Sequence, residues 1–375
     1  VRRPPGAWYG LFVIQRFAVI MAGGSGERFW PASRQARPKQ LLRLTDERRS
    51  MLEEAIDRIA PLIAPENVIV ATNEILADPI AAAIPRLPRE NVIAEPAKRN
   101  TAACLALAAA HLAKRVGPDG EASMAVLTAD HRITDEQRFR ETVALALDFA
   151  EANDALVTIG VVPTRPETGY GYIEVAEAGA RGQGRVLPVG RFLEKPDLET
   201  ARRFATSGRH LWNSGMFFWR VSSFLSGLDR HMPDLARATA AMRADLASGS
   251  GCLSEIFSGL ADVSIDVGLM ERAGNVHVVP ATFPWDDVGA WDALARTRVP
   301  DLQGNVADPG TVLVDARDCI VYNAAGEAMA VAVVGVTGLV VATTPDAVLV
   351  CDRERAQDVK RAVAALRERG RERFT

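Results

Sequence analysis

Between Phe17 and Val161 the chain alternates five short apolar runs with segments of helical period, and few folds accept that order. The runs are Phe17-Ala18-Val19-Ile20, Asn67 to Ala71, Asn91 to Ala94, Met124 to Leu127 and Ala155 to Val161. Between them, Leu52, Ile56, Ile59 and Ile63 recur at helical spacing behind a Ser50/Glu53 capping box. Further helices are expected over Ile75 to Ile84, over 101–115 and over Glu136 to Ala152. Strands alternating with helices at this spacing require right-handed crossovers, hence a mostly parallel sheet with helices on both faces. Ligands of such sheets bind at the carboxyl ends of the strands. The informative polar residues fall at those ends: Gly23 to Gly26, Glu95 to Thr101, and Asp130-His131.

The first strand empties into Met21 to Leu42, MAGGSGERFWPASRQARPKQLL. Gly23, Gly24 and Gly26 let backbone N–H groups face a ligand with no Cβ in the way, which suits phosphates. Arg28, Arg34, Arg37 and Lys39 follow, with Glu27 the one acid of the stretch. A glycine loop followed by dispersed cations predicts a polyphosphate site. It is not a dinucleotide fingerprint, because Phe29 stands at the third glycine position, and it is not a P-loop. A tight turn with a solvated basic face is the plain alternative.

Beyond Thr168 the texture changes. Strands are expected over Tyr170 to Val175, Arg185 to Phe192, Leu211 to Arg220 and Asn275 to Pro280. Helices are expected over Leu198 to Ser207 and roughly 221–249 and 254–273, with Trp285 to Gly289 in a loop. After Pro300, short Val/Ile-rich runs separated by Gly, Asp and Asn predict stacked strands, as in a small β-solenoid. A basic amphipathic helix from about Arg355 to Arg367 follows. The reading is a 1–15 extension, a 16–300 catalytic domain and a 301–375 C-terminal domain. Arg2-Arg3-Pro4-Pro5 mimics a secretion signal, but Gln15 and Arg16 interrupt the apolar run behind it.

Composition excludes several classes. A net charge of -3 gives no basic footprint for nucleic acid. No apolar run is long enough to span a membrane. Cys104, Cys252, Cys319 and Cys351 are far apart, three of them in apolar runs, which fits reduced thiols in a cytoplasmic protein. No Ser/His/Asp or Cys/His arrangement stands out. That absence suits one chemistry: a sugar phosphate is already an anionic nucleophile and needs alignment and charge compensation rather than a general base. Asp130 and Asp287, brought to one sheet edge, could hold Mg²⁺, although Asp286 competes with Asp287 and a turn role competes for each. Glu194-Lys195 suits sugar hydroxyls and a phosphate, or is an exposed ion pair. Asn213 could bond hydroxyls, or mark a bulge. Asn100 or Thr101 is a helix N-cap or part of an anion site at that helix terminus.

Together these segments resemble the sugar-nucleotide pyrophosphorylases. The carriers, in order, are the loop with Arg28, Trp30-Pro31, Ser33-Arg34 and Pro38-Lys39-Gln40; then Glu95-Pro96 with Arg99 to Ala102; then Ala129-Asp130-His131. Thr168 to Ile173, Phe192 to Pro196, Trp212 to Phe217 and Trp285 to Gly289 complete them. The segment at Glu95 is similar to one typical of the mannose/guanylyl branch. The resemblance covers about 17–360. It implies a Rossmann-like, doubly wound mixed sheet of the nucleotide-diphospho-sugar transferase type, with a small C-terminal left-handed β-helix-like domain. It implies that Gly23, Gly24, Gly26, Arg28 and Lys39 hold GTP phosphates, and that Glu95, Asn100 and Thr101 lie by guanine and ribose. It further implies Mg²⁺, or another divalent ion, on Asp130 and Asp287. Gly169, Glu194 and Asn213 would hold mannose and Lys195 its phosphate, with Arg28, Lys39, Asp130 and Lys195 as the catalytic set. The implied reaction is GTP plus mannose 1-phosphate giving GDP-mannose and pyrophosphate, in a homodimer. Ala103, Asp286 and Thr337-Gly338 depart from the common pattern, and no cupin follows, so transferase activity alone is expected. Rival expectations are another hexose 1-phosphate or nucleotide, and a non-catalytic sugar-nucleotide sensor. A nicotinamide oxidoreductase is disfavoured by Phe29.

Overall fold

The computed structural model describes residues 14–175 and 184–375. The expected 1–15 extension lies outside the described residues as far as position 13. Strand β1 (Gln15–Met21) precedes α1 (Met51–Ile59), β2 (Val68–Asn73), α2 (Glu74–Ala83), β3 (Val92–Glu95), α3 (Asn100–Val116) and β4 (Ala122–Thr128). Then come β5 (Arg132–Ile133), α4 (Glu136–Ala152), β6 (Leu156–Val161), β7 (Tyr172–Val175), β8 (Leu187–Leu193), α5 (Leu198–Thr206) and β9 (His210–Arg220). They are followed by α6 (Val221–His231), α7 (Pro233–Ser248), α8 (Leu253–Ser258), β10 (Val276–Pro280), β11 (Trp285–Asp286) and α9 (Leu294–Thr297). The last elements are β12 (Val306–Ala307), β13 (Val312–Val314), β14 (Ile320–Asn323), β15 (Ala332–Val334), β16 (Leu339–Thr343), β17 (Val348–Asp352) and α10 (Val359–Glu368). Contacts divide the chain into two compact units.

The first unit comprises the start of β1, Pro96–Val126 and Val143–Pro280. Its strands follow the order β4-β9-β6-β10-β8-β7, and β7 also pairs with β9. Only β6 and β10 pair in parallel within that set. The sheet is therefore more mixed than the early alternation predicts. The cause is β9, which enters antiparallel to both β4 and β6. Its Trp212, Phe217, Phe218 and Trp219 are all buried, so it carries enough apolar surface on both faces to sit centrally. Helix α3, rich in Ala and Leu, buries nearly all its apolar side chains and packs on α7.

The helix expected over 254–273 is not continuous. Helix α8 stops at Ser258, and Asp266–Met270 form a separate π-turn. Between them the backbone bonds sideways: Ala102 N–H donates to the Val263 carbonyl at 3.3 Å, and Ile265 N–H donates to Thr101 Oγ1 at 2.9 Å. Groups given to the end of α3 cannot complete a helical ladder of their own.

The second unit comprises Ile20–Glu95, Leu127–Thr142 and Ala281–Thr375. Strands β2 and β3 pair in parallel, with Asn73 opposite Glu95. The capping box is present: Ser50 N–H donates to Glu53 Oε2 at 2.7 Å, and Glu53 N–H donates to Ser50 Oγ at 3.3 Å. Residues beyond 304 stack as expected, with β12, β14 and β16 parallel, β17 antiparallel at the end, and β13 parallel to β15. One face of this stack (Ile320, Tyr322, Val340, Ala342) joins a core containing Phe29, Trp30, Leu42, Leu44 and Trp291. The glycine loop thus shares a hydrophobic core with the C-terminal strands. Trp291 Nε1–H donates to the Trp30 carbonyl at 2.9 Å, and Trp30 Nε1–H to that of Phe374 at 2.6 Å. Among the described residues no cysteine forms a disulfide, and no helix is long and apolar enough to cross a membrane.

Candidate active site

Two clusters of polar side chains stand out, one in each unit. In the second unit the glycine loop ends in a buried lysine. Gly26 takes a left-handed conformation (φ 63°) and caps the short 3-10 turn Glu27–Phe29. A Cβ there would overlap Lys39 Cβ and lie 3.0 Å from the Lys39 backbone nitrogen. Only glycine lets the two segments come this close. Lys39 is 5% exposed. Its ammonium donates to Asp130 Oδ2 at 2.9 Å and to the Asp287 carbonyl at 2.8 Å, and lies over the Phe29 ring. A buried ammonium needs such partners.

The pairing of β11 with β5 brings Asp287 there. Two residues on each side suffice, Asp286 opposite Arg132 and Trp285 opposite Ile133. Asp286 is engaged elsewhere: Arg296 Nε–H donates to its Oδ2 at 2.8 Å, and Val288 N–H donates to its Oδ1 at 2.8 Å. Burial pushes the Asp130 carboxyl up, but the Lys39 ammonium more than offsets this and holds it below the usual carboxylate range. Burial lowers His131 to about 4, so its imidazole is neutral at pH 7. Its Nδ1 accepts from Trp285 Nε1–H at 3.1 Å, which leaves the ring proton on Nε2. The loop's other cations differ. Arg34 pairs at 3.0 Å with Asp346, in the turn between β16 and β17, while Arg28 and Arg37 are exposed.

In the first unit, Gly171, Glu194, Lys195 and Asn213 come together. A Cβ on Gly171 would lie 2.6 Å from Glu194 Oε2 and 3.3 Å from Asn213 Cβ. Lys195 Nζ pairs with Glu194 Oε1 at 2.8 Å, from a left-handed backbone (φ 46°). Asn213 sits at the irregularity between β6 and β9, and Gly215 takes φ 69° beside it. Gly215 N–H donates to Asn213 Oδ1 at 3.1 Å, and Asn213 Nδ2–H donates to Asp266 Oδ1 at 2.7 Å. Burial first, then the Glu194 charge, raises the Asp266 carboxyl to about 6.

Residues 17–303 match the nucleotidyl transferase family. The chain belongs to the nucleotidyl transferase family. Residues 310–366 match the MannoseP isomerase/GMP-like β-helix domain. The mannose-1-phosphate guanylyltransferase of Escherichia coli (strain K12) is 41% identical over 362 residues, 95% of this chain and 74% of that protein. The alginate biosynthesis protein AlgA of Pseudomonas syringae pv. tomato is 37% identical, over 94% of this chain and 72% of its own length. A crystal structure from Thermus thermophilus, described as a mannose-1-phosphate geranyltransferase, shares 36% identity with a TM-score of 0.83. It covers 94% of this chain and 100% of its own. The fold is that of the nucleotide-diphospho-sugar transferases, with mixed sheets and a β-helix-like C-terminal domain.

In this nucleotidyl transferase the remaining residues singled out by sequence are placed as follows. A Cβ added to Gly24 would meet no heavy atom within 4 Å, whereas one on Gly23 would lie 3.6 Å from Glu95 Oε1. Asn100 opens α3 from a left-handed backbone (φ 63°), and its Oδ1 accepts from Thr101 N–H at 2.9 Å. The Thr101 hydroxyl oxygen already accepts from Ile265 N–H. Gly169 is exposed, and its N–H donates to Glu167 Oε1 at 3.2 Å. Gly171 and Asp266 escape a sequence reading. Gly171 stands two residues from Gly169 in the same motif, and only Cβ clearance separates them. Asp266 is hidden among helix-period neighbours, Ile265, Leu269 and Met270. Its π-turn, a conformation frequent at functional sites, has no local signature.

Proposed function

We propose that the chain transfers a guanylyl group from GTP to α-D-mannose 1-phosphate, giving GDP-mannose and pyrophosphate. The observation that carries the reading is the Lys39 ammonium, held between Asp130 and Asp287 at the foot of an open glycine loop. A phosphate oxygen of the sugar ester attacks the α-phosphorus of GTP. The new P–O bond forms as the bond to the β-bridging oxygen breaks, and pyrophosphate leaves with that electron pair. Loop N–H groups around Gly23, Gly24 and Gly26 donate to the leaving phosphates, and Arg28 and Lys39 offset their charge. Glu95, Asn100 and Thr101 are assigned to guanine and ribose. Glu194 accepts from mannose hydroxyls beside Gly169 and Gly171, Asn213 donates to one, and Lys195 meets the sugar phosphate.

The donor set suits a hard divalent cation: Asp130 is an ionised, partly exposed carboxylate, and Asp287 shares its lysine. Asp130 and Asp287 are therefore the residues assigned to Mg²⁺, which when bound would offset phosphate charge. The proposal also includes a cytoplasmic homodimer.

Pyrophosphate release with a panel of nucleoside triphosphates and sugar 1-phosphates, with and without Mg²⁺, tests the reaction. GTP with mannose 1-phosphate is expected to be the preferred pair. Equal turnover of UTP with glucose 1-phosphate would overturn the assignment.

A further inference from the structure

The hexose cluster contains one amide whose orientation the protein fixes. An Asn side chain can present either its oxygen or its nitrogen to a ligand, and the choice belongs to its partners. Around Asn213 those partners are unambiguous. Gly215 N–H can only donate, so the atom 3.1 Å away is the amide oxygen. The Asp266 carboxylate accepts at 2.7 Å, so the atom facing it is the nitrogen. One amide hydrogen of Asn213 then has no partner among the described residues. Glu194 Oε2 and Asn213 Cβ flank the same glycine, Gly171. The Glu194 carboxylate and the Asn213 side chain therefore flank one glycine where the hexose is assigned.

We propose that Asp266 is a positioning residue for the sugar: it locks the Asn213 amide so that its second N–H, rather than its carbonyl, is presented to a hexose hydroxyl. The inference rests on the hexose reading of this cluster given above. Asp266 is itself placed from behind. It begins the π-turn Asp266–Met270, and the residue before it, Ile265, is tied through its N–H to Thr101 Oγ1 at the start of α3. Gly268 in the same turn fits against Met232, whose sulfur a Cβ would overlap. The turn is thus clamped on both sides of the carboxylate. Glu194 and Lys195 are the charged groups whose fields act on it.

The test is steady-state kinetics on the whole chain with GTP and mannose 1-phosphate, comparing Asp266→Ala, Asp266→Asn, Asn213→Ala and the Asp266→Ala/Asn213→Ala pair. The wild-type chain is measured first; if it forms no nucleotide sugar, the hexose reading fails independently of Asp266. Asp266→Ala is expected to raise KM for mannose 1-phosphate about tenfold, with kcat and the KM for GTP within about twofold. Asp266→Asn keeps an oxygen acceptor of the same shape and is expected to restore KM to within about threefold of wild type. The double variant is expected to match Asn213→Ala alone, because the lock has nothing left to orient. Thermal melting separates misfolding from mispositioning, and a variant that melts early is judged on Asp266→Asn. Unchanged KM in Asp266→Ala, equal loss of kcat and GTP affinity, no rescue by asparagine, or additive effects in the double variant would each overturn the proposal.

Discussion

Replacing Gly26 by alanine is the sharpest perturbation of the glycine loop. The residue holds φ 63° and ψ 29°, a conformation that costs an alanine about 1–2 kcal/mol. The added methyl would also overlap Lys39 Cβ and stand 3.0 Å from a backbone nitrogen, which cannot swing away as a side-chain tip can. Overpacking of this kind adds about 1–3 kcal/mol. The combined cost is about 2–5 kcal/mol, seen in calorimetry on a chain of 375 residues as a Tm lower by about 3–6 °C. Relaxation must move Lys39, whose ammonium bonds Asp130 and Asp287 at 2.9 and 2.8 Å. A displacement approaching 1 Å would lower kcat/KM about 100-fold. Gly24→Ala is the control, since no heavy atom lies within 4 Å of its Cβ position and its φ is not positive. It is expected to leave Tm within about 1 °C, and any loss of GTP turnover then reports a ligand passing close to the backbone. Wild-type Tm and kcat/KM in Gly26→Ala, or equal loss of Tm in both variants, would refute the reasoning.

Three further outcomes follow from the same contacts. Asp130→Asn leaves the buried Lys39 ammonium without its anionic partner and is expected to lower turnover about 100-fold while shifting the Mg²⁺ dependence to higher concentration; an unchanged Mg²⁺ titration would remove Asp130 from the metal site. Gly171→Ala pushes a methyl to within 2.6 Å of Glu194 Oε2, and the expected result is a KM for mannose 1-phosphate raised about tenfold with little change in that for GTP; equal effects on both substrates would count against it. Asp266 has its carboxyl raised to about 6 from 3.8, so the folded state binds its proton more tightly than the unfolded state does. Its contribution to stability therefore falls as pH rises from about 4 to about 6. The Tm of Asp266→Asn relative to wild type should climb across that window and level off above it; a flat difference would contradict the assignment.

Much of this architecture is legible in the sequence because its signals are local. The βα alternation, the Ser50/Glu53 box and the valine-rich runs after Pro300 each follow from the pairing or capping needs of neighbouring residues. Lys39 and Asp130 are legible for a related reason, since a cation after a glycine loop and an acid at a strand end are conspicuous as residue types. The illegible features depend on where distant segments meet. Nothing near Phe29 or Trp30 announces that they pack with Ile320 and Val340, or that the loop's hydrophobic support comes from the C-terminal strands. The break at 259–265 is decided by Thr101, 164 positions from Ile265, because it takes the N–H that a continuing helix would have used. Asp286 and Asp287 look alike in sequence, and Arg296 separates them only after β11 has paired with β5. The same reasoning explains the cluster around Gly171. Glu194-Lys195 and Asn213 are found by residue type, but Asp266 carries no distinguishing context in its own segment. Its hydrogen bond to Asn213 spans 53 positions, so no local pattern in the sequence reveals which partners orient that amide.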